Sequence, residues 1–280
     1  MKNSFTILAL CIGFFASAQS PWTQEKGSFY TQLSFTTIAS YTDIFGDPDY
    51  RTFGDITDNT IQLYGEYGLT NQTSLIVNLP LKVISINNFE DPRIDCGGDC
   101  SQDFRETALG NLEIGIKHNF YNNNWLFTGQ FSVEANTSTY NSISGIRTGY
   151  DAYTFTPLFL AGRSFNKTYL QAFIGANIRT NAYSSNFKVG GELGYKVTNR
   201  IWFAGFVDIV KSLENGDIIL PIENTLTALY VNDQDYGAFG LKAIGEITNK
   251  IGATASFGGA FFGNNVAQQI ALNIGVYHKF

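Results

Sequence analysis

The last twelve residues read Gln269-Ile270-Ala271-Leu272-Asn273-Ile274-Gly275-Val276-Tyr277-His278-Lys279-Phe280. Ile270, Leu272, Ile274, Val276, His278 and Phe280 share one face of an extended chain, and Gln269, Asn273, Tyr277 and Lys279 share the other. A period of two marks a strand whose faces meet different surroundings. The pattern recurs upstream. Val189, Leu193 and Tyr195 oppose Lys188, Glu192 and Lys196, while Phe127, Phe131 and Val133 oppose Thr128, Gln130 and Glu134. No stretch carries a convincing helical period.

The alternation predicts about twelve strands, near 27–39, 57–69, 73–86, 106–119, 125–137, 149–163, 168–180, 186–197, 200–212, 234–247, 250–261 and 266–280. Their connections alternate in length. The short set is Asn-rich: Thr70-Asn71-Gln72, Asn122-Asn123-Asn124, Asn166-Lys167, Thr198-Asn199 and Thr248-Asn249. Asn tolerates the left-handed backbone of tight hairpins. The other set is mostly long, at 40–56, 87–105, 138–148 and 213–233, with shorter members at 181–185 and 262–265. Three strand ends, 67–71, 195–199 and 245–249, are variants of one unit closing on Thr-Asn.

Composition fits strands with one face on lipid. Charged residues are 15% of the chain and aromatics 15%, with 28 Gly, against a usual charged share of about 25%. No run of ~18 apolar residues is present to form a spanning helix. Even strand number, short turns at one end and long loops at the other describe an all-β, antiparallel, up-and-down transmembrane β-barrel of the outer membrane of a Gram-negative bacterium. Its partners are then the lipid bilayer and lipopolysaccharide. Trp22, Trp125, Trp202, Tyr67, Phe120, Tyr121 and Tyr169 fall near the short-turn end, where an interfacial aromatic belt is expected.

The N-terminus reads as an export signal. Lys2, an apolar run from Phe5 to Phe15 and Ala16-Ser17-Ala18 predict cleavage before Gln19, so that 1–18 is the signal peptide and 19–280 the barrel domain. Cys11 follows Leu10 rather than a small residue, so it belongs to the discarded signal and not to a lipid anchor. Removing Lys2 takes the formal charge from −6 to −7, which argues against nucleic acid, whose partners need a basic surface.

Several segments resemble one family. Glu66-Tyr67-Gly68-Leu69-Thr70 continuing to Leu79-Pro80, Gly110 to Lys117 (GNLEIGIK) and Gly191 to Arg200 (GELGYKVTNR) are similar to the outer-membrane transporter barrels of the MetA-pathway of phenol degradation. The resemblance implies a porin-like channel for aromatic or otherwise hydrophobic compounds, with no catalytic residues and no cofactor. A C-terminal alternating strand ending in Phe280 resembles the signal read by the barrel-assembly machinery, although His278 stands where such signals carry an apolar residue.

Alternation points Glu66, Lys82, Glu113, Lys117, Glu134, Arg179, Lys188, Glu192, Lys196, Asp208, Lys242 and Glu246 into the lumen. Facing the bilayer midplane, an ionised group costs ~2–4 kcal/mol. Two readings follow. The charges line a narrow pore for a small solute, or they pair and shut the barrel, leaving a structural or surface-interaction protein that acts through its extracellular loops 40–56, 87–105 and 213–233. Glu113/Lys117, Glu192/Lys196 and Lys242/Glu246 are the candidate pairs near the periplasmic end. In a water-filled lumen such pairs are worth ~0–1 kcal/mol, so removal of Lys117 and Lys196 is expected to favour cations and spare the fold.

Cys96 and Cys100 enclose Gly97-Gly98-Asp99 in an outer loop. In an oxidising compartment they should form a disulfide. So small a ring constrains little. Thiol titration of the mature protein is expected to find neither thiol free, and a Cys96→Ser/Cys100→Ser variant should insert normally. Asp43, Asp47, Asp49 and Asp55, with Asp91, Asp95, Asp99 and Asp103, make two acidic loops whose spacing does not fit a Ca²⁺ loop, so no metal is expected. His118 and His278 lack a serine nucleophile with an orienting third group, so the chain does not read as an enzyme.

Overall fold

A computed structural model describes residues 20–90, 101–217 and 226–280. The expected signal at 1–18 with Cys11, the Cys96–Cys100 pair, and Asp91, Asp95 and Asp99 lie outside these residues. The described chain is all strand, turn and loop. In order the strands are β1 (Phe29–Phe45), β2 (Tyr50–Thr70), β3 (Thr73–Phe89), β4 (Gln102–Leu109), β5 (Leu112–Asn122), β6 (Leu126–Ala135) and β7 (Thr154–Phe165). There follow β8 (Thr168–Arg179), β9 (Asn186–Lys196), β10 (Ile201–Ser212), β11 (Asp235–Glu246), β12 (Ile251–Asn264), β13 (Val266–Ala267) and β14 (Ala271–Lys279).

Neighbours in sequence pair antiparallel, and the sheet closes where β1 pairs with β14 from Tyr30↔Lys279 to Ile38↔Ala271. The result is a closed barrel of twelve staves. Two staves are each built from two pieces. β13 and β14 share the edge of β1. β5 and β4 succeed one another along β3, changing over between Asn78↔Glu113 and Leu81↔Leu109. Pro80 lies at that changeover, consistent with proline's exclusion from regular ladder positions. The single strand expected at 106–119 is therefore divided at Gly110-Asn111.

The exposed and buried faces are inverted relative to a protein dissolved in water. Leu33, Ile61, Ile114, Phe131, Phe203, Leu241, Leu272 and Ile274 are exposed, whereas Ser74, Lys117, Asn119, Thr128 and Ser132 are almost wholly buried. An apolar outer face and a polar inner face are what a bilayer-spanning barrel requires.

The three Thr-Asn turns share one hydrogen bond. The hydroxyls of Thr70, Thr198 and Thr248 accept from the backbone N–H two residues on, at 3.1, 3.2 and 3.2 Å. The weak internal repeat thus reflects one turn device.

The long connections do not all behave as loops. Most of 40–56 is a tall hairpin formed by the ends of β1 and β2, turning at 46–49. Register shifts between Ile38 and Tyr41 and between Tyr41 and Asp43, with Ser40 at φ 47°, bring Tyr41 into the buried face beside Ile38 and Ile44. Such a bulge re-aims side chains along a strand. The connection 136–153 folds into the barrel instead of out: Ser144 to Tyr150 are all buried.

Candidate functional site

The interior has two halves of different chemistry. At the long-connection end, Ile44, Ile56, Ile84 and Ile86 from β1–β3 meet Ile146 of one inward-folded connection and Leu226 and Ala228 of another. Backbone entering this apolar plug needs polar partners, since an unpaired buried amide is costly. Thr148 Oγ1 donates to Leu109 O at 2.8 Å and Thr137 Oγ1 to Gly110 O at 2.6 Å, at the point where the stave breaks. Tyr41 OH donates to Thr227 O at 3.4 Å, and Thr227 Oγ1 donates to Gly145 O at 3.2 Å. Arg147 donates to Tyr183 OH at 2.8 Å and stacks 4.2 Å above the Tyr140 ring.

Below the plug lies a cavity of about 620 Å³. Its wall carries Tyr30, Tyr64, Tyr169, Phe173, Trp202, Phe206 and Tyr277, with Trp22 from the segment before β1. Tyr30 stacks on Tyr277 at 5.6 Å, and Tyr169 meets Trp22 and Trp202 at 6.1 and 5.5 Å. The belt expected at the short-turn end is thereby corrected: Trp22, Tyr169 and Trp202 line the interior. Alternation already implied this for Trp202, which shares parity with Asp208. Tyr67, Phe120 and Tyr121 are exposed, and Trp125 stacks on Phe127.

Of the lumen-lining candidates, Glu66, Glu192, Asp208, Lys242 and Glu246 line the cavity. The near-sequence pairs resolve into cross-strand partnerships. Lys117 bonds to Glu66 at 2.8 Å, across β3, and Tyr64 OH donates to the same carboxylate at 3.1 Å. Lys242 meets Glu192 at 2.5 Å, and Glu192 also accepts from Tyr169 OH and from Gln171 at 3.3 Å. Lys82 donates to both oxygens of Asp58 at 2.9 and 2.7 Å and to Thr60 at 2.9 Å. Asp58 shares parity with Glu66 on β2, and that parity alone places it inward.

Lys196 rests 5.1 Å from the Trp202 ring and Lys188 5.8 Å from that of Phe173. Arg179 donates to Ser184 O at 2.8 Å and covers Tyr150 at 3.9 Å. Glu113 accepts from Asn78 at 3.3 Å and stands directly across from Glu134 on β6. The expectation of a fully hydrated lumen is corrected at Lys117 and Glu66, only 1% and 4% exposed. Residues 20–28 enter the barrel there, and the Ser20 carbonyl accepts from Lys117 Nζ at 3.2 Å.

The remaining sequence candidates lie elsewhere. Asp43 is bridged by Arg51 at 3.0 Å, and Asp49 accepts from Gly46 N and from Gln268 at 3.1 and 2.8 Å. His118 hydrogen-bonds Thr73 at 2.9 Å on β5, while His278 on β14 packs against the ring of Phe280 at 4.0 Å. Phe280 N donates to Phe29 O at 2.8 Å, so the last residue is fastened to the first strand.

No family model and no curated protein matches the chain. Solved structures do. An outer membrane channel from Pseudomonas putida F1 is 14% identical over 96% of this chain and 100% of that one, with a TM-score of 0.69. The translocator domain of the autotransporter NalP from Neisseria meningitidis is 13% identical over 92% and 90%, with a TM-score of 0.54. The KdgM porin, in complex with disordered oligogalacturonate, is 7% identical over 90% and 99%, with a TM-score of 0.51. At these identities the likeness establishes the fold, and the chain has the architecture of an outer-membrane β-barrel.

Proposed function

We propose that the mature chain, freed of residues 1–18, is an outer-membrane channel of a Gram-negative bacterium that passes a small hydrophobic or aromatic solute. The observation that carries this reading is the aromatic-walled cavity of about 620 Å³ inside the barrel. Its size falls in the ~300–1,000 Å³ range of small-molecule sites, which combine apolar walls with a few polar groups. The similarity of the three quoted segments to the phenol-degradation transporter barrels agrees with it. So does the likeness to a protein described as an outer membrane channel. Lipopolysaccharide, the bilayer and the assembly machinery acting at Phe280 are the expected partners.

The closed, structural reading has one observation in its favour, the apolar plug above the cavity. Reconstitution separates the two. The channel reading expects single-channel current in potassium chloride and swelling of proteoliposomes in phenylalanine, a solute that does not leak through lipid. A correctly folded, heat-modifiable barrel with neither activity refutes passage and transfers attention to the outer loops.

A further inference from the structure

Residues 20–28 form no strand, yet they are bonded to the barrel wall along their length. At one side of the short-turn end, Lys26 N donates to Asn71 Oδ1 at 3.0 Å, Thr23 Oγ1 to Asn71 O at 3.2 Å, and Gln24 N to Ser74 Oγ at 2.9 Å. Further along, Thr128 Oγ1 of β6 donates to Pro21 O at 2.6 Å, and Lys117 of β5 donates to Ser20 O. The segment therefore runs from the β2–β3 turn along the inner wall, over the consecutive strands β3, β5, β6 and β7.

Two glycines are notches for it. A Cβ on Gly68 would lie 2.0 Å from Glu25 O, and a Cβ on Gly162 would lie 2.4 Å from Pro21 Cγ. Only a residue without a side chain lets the segment approach so closely. Between the notches Trp22 leans edge-on to Tyr169 and becomes part of the cavity wall.

A tail that merely trails from the first strand has no need of bonds to β5 and β6. We infer that the segment Ser20–Lys26 is the periplasmic constriction of the channel, and that Trp22 is its specificity-determining residue, favouring solutes with an aromatic ring. The inference rests on the passage reading. The segment narrows the short-turn mouth, and a permeating solute must pass the Trp22–Tyr169 edge, where ring-to-ring contact favours aromatic solutes.

The test uses the full chain in planar bilayers and proteoliposomes. Gly162→Val removes the notch that seats Pro21. Asn71→Ala/Ser74→Ala independently removes side-chain bonds at the other end of the segment, and serves if the valine variant fails to insert. Either is expected to raise conductance several-fold, because lumen changes alter what a barrel passes. Trp22→Ala is expected to lower the flux of phenylalanine relative to cyclohexylalanine, which matches it in size but lacks the aromatic ring. If wild type conducts and the notch and wall variants conduct equally, the constriction is wrong while passage stands. An unchanged ratio in Trp22→Ala overturns its role in specificity. No current in wild type or any folded variant overturns passage and constriction together.

Discussion

Replacing Lys117 by Met is expected to destabilise the barrel by about 3–5 kcal/mol, the cost of leaving one charge of a buried pair uncompensated. Lys117 and Glu66 are 1% and 4% exposed, so water has little access to either. The lost ammonium would leave the carboxylate without its counter-charge, held by Tyr64 OH, and would also remove the donor to the Ser20 carbonyl. Substituting both partners, Lys117→Met with Glu66→Leu, should recover most of the loss, because apolar side chains of similar volume replace a buried pair at little cost. Urea unfolding in detergent, followed by tryptophan fluorescence, measures both effects. A loss near the ~0–1 kcal/mol of a hydrated pair would show that the interior is wet at this level.

The second large effect belongs to the apolar plug. Ile146→Asp places a carboxylate where Ile146 is fully buried against Leu226 and Ala228. An ionised group there costs several kcal/mol. The connection 136–153 is held by bonds such as those of Thr137 and Thr148, each worth ~0.5–1.5 kcal/mol net. No barrel ladder runs through its buried stretch, so it should swing out while the barrel persists. Expected readouts are a several-fold rise in conductance and new protease cleavage between residues 138 and 148, with heat-modifiability retained. A loop that stays protease-resistant at unchanged conductance would show that the plug does not limit passage.

The neighbouring tall hairpin behaves differently on physical grounds. Residues 29–70 are laddered to one another along β1 and β2, so an equivalent charge in that hairpin would have to break strand pairing. Among the described residues, the backbone bonds of the inward-folded connection, such as Asn141 N to Ile146 O, are mostly local, and it pairs strand-fashion only at the isolated bridge Tyr140↔Arg147. Local opening is drawn from segments with few such bonds.

The sequence by itself determined the number of staves, their antiparallel order and the alternation of their faces, because a period of two is written one residue at a time, but it missed the upper parts of β1 and β2 within 40–56. It also carried the Thr-Asn turns, whose bonds join residues two apart. It placed Asp208 inward, and the same parity carried Trp202 with it. Only the tertiary structure decided what fills the lumen. The Lys117–Glu66 and Lys242–Glu192 partnerships span an intervening strand, so spacing along the chain does not encode them. The break at Gly110, the inward course of residues 144–150 and the seating of Pro21 against Gly162 depend on contacts between segments far apart in sequence. Alternation records which way each strand residue faces; which distant segments meet inside is set when the barrel closes.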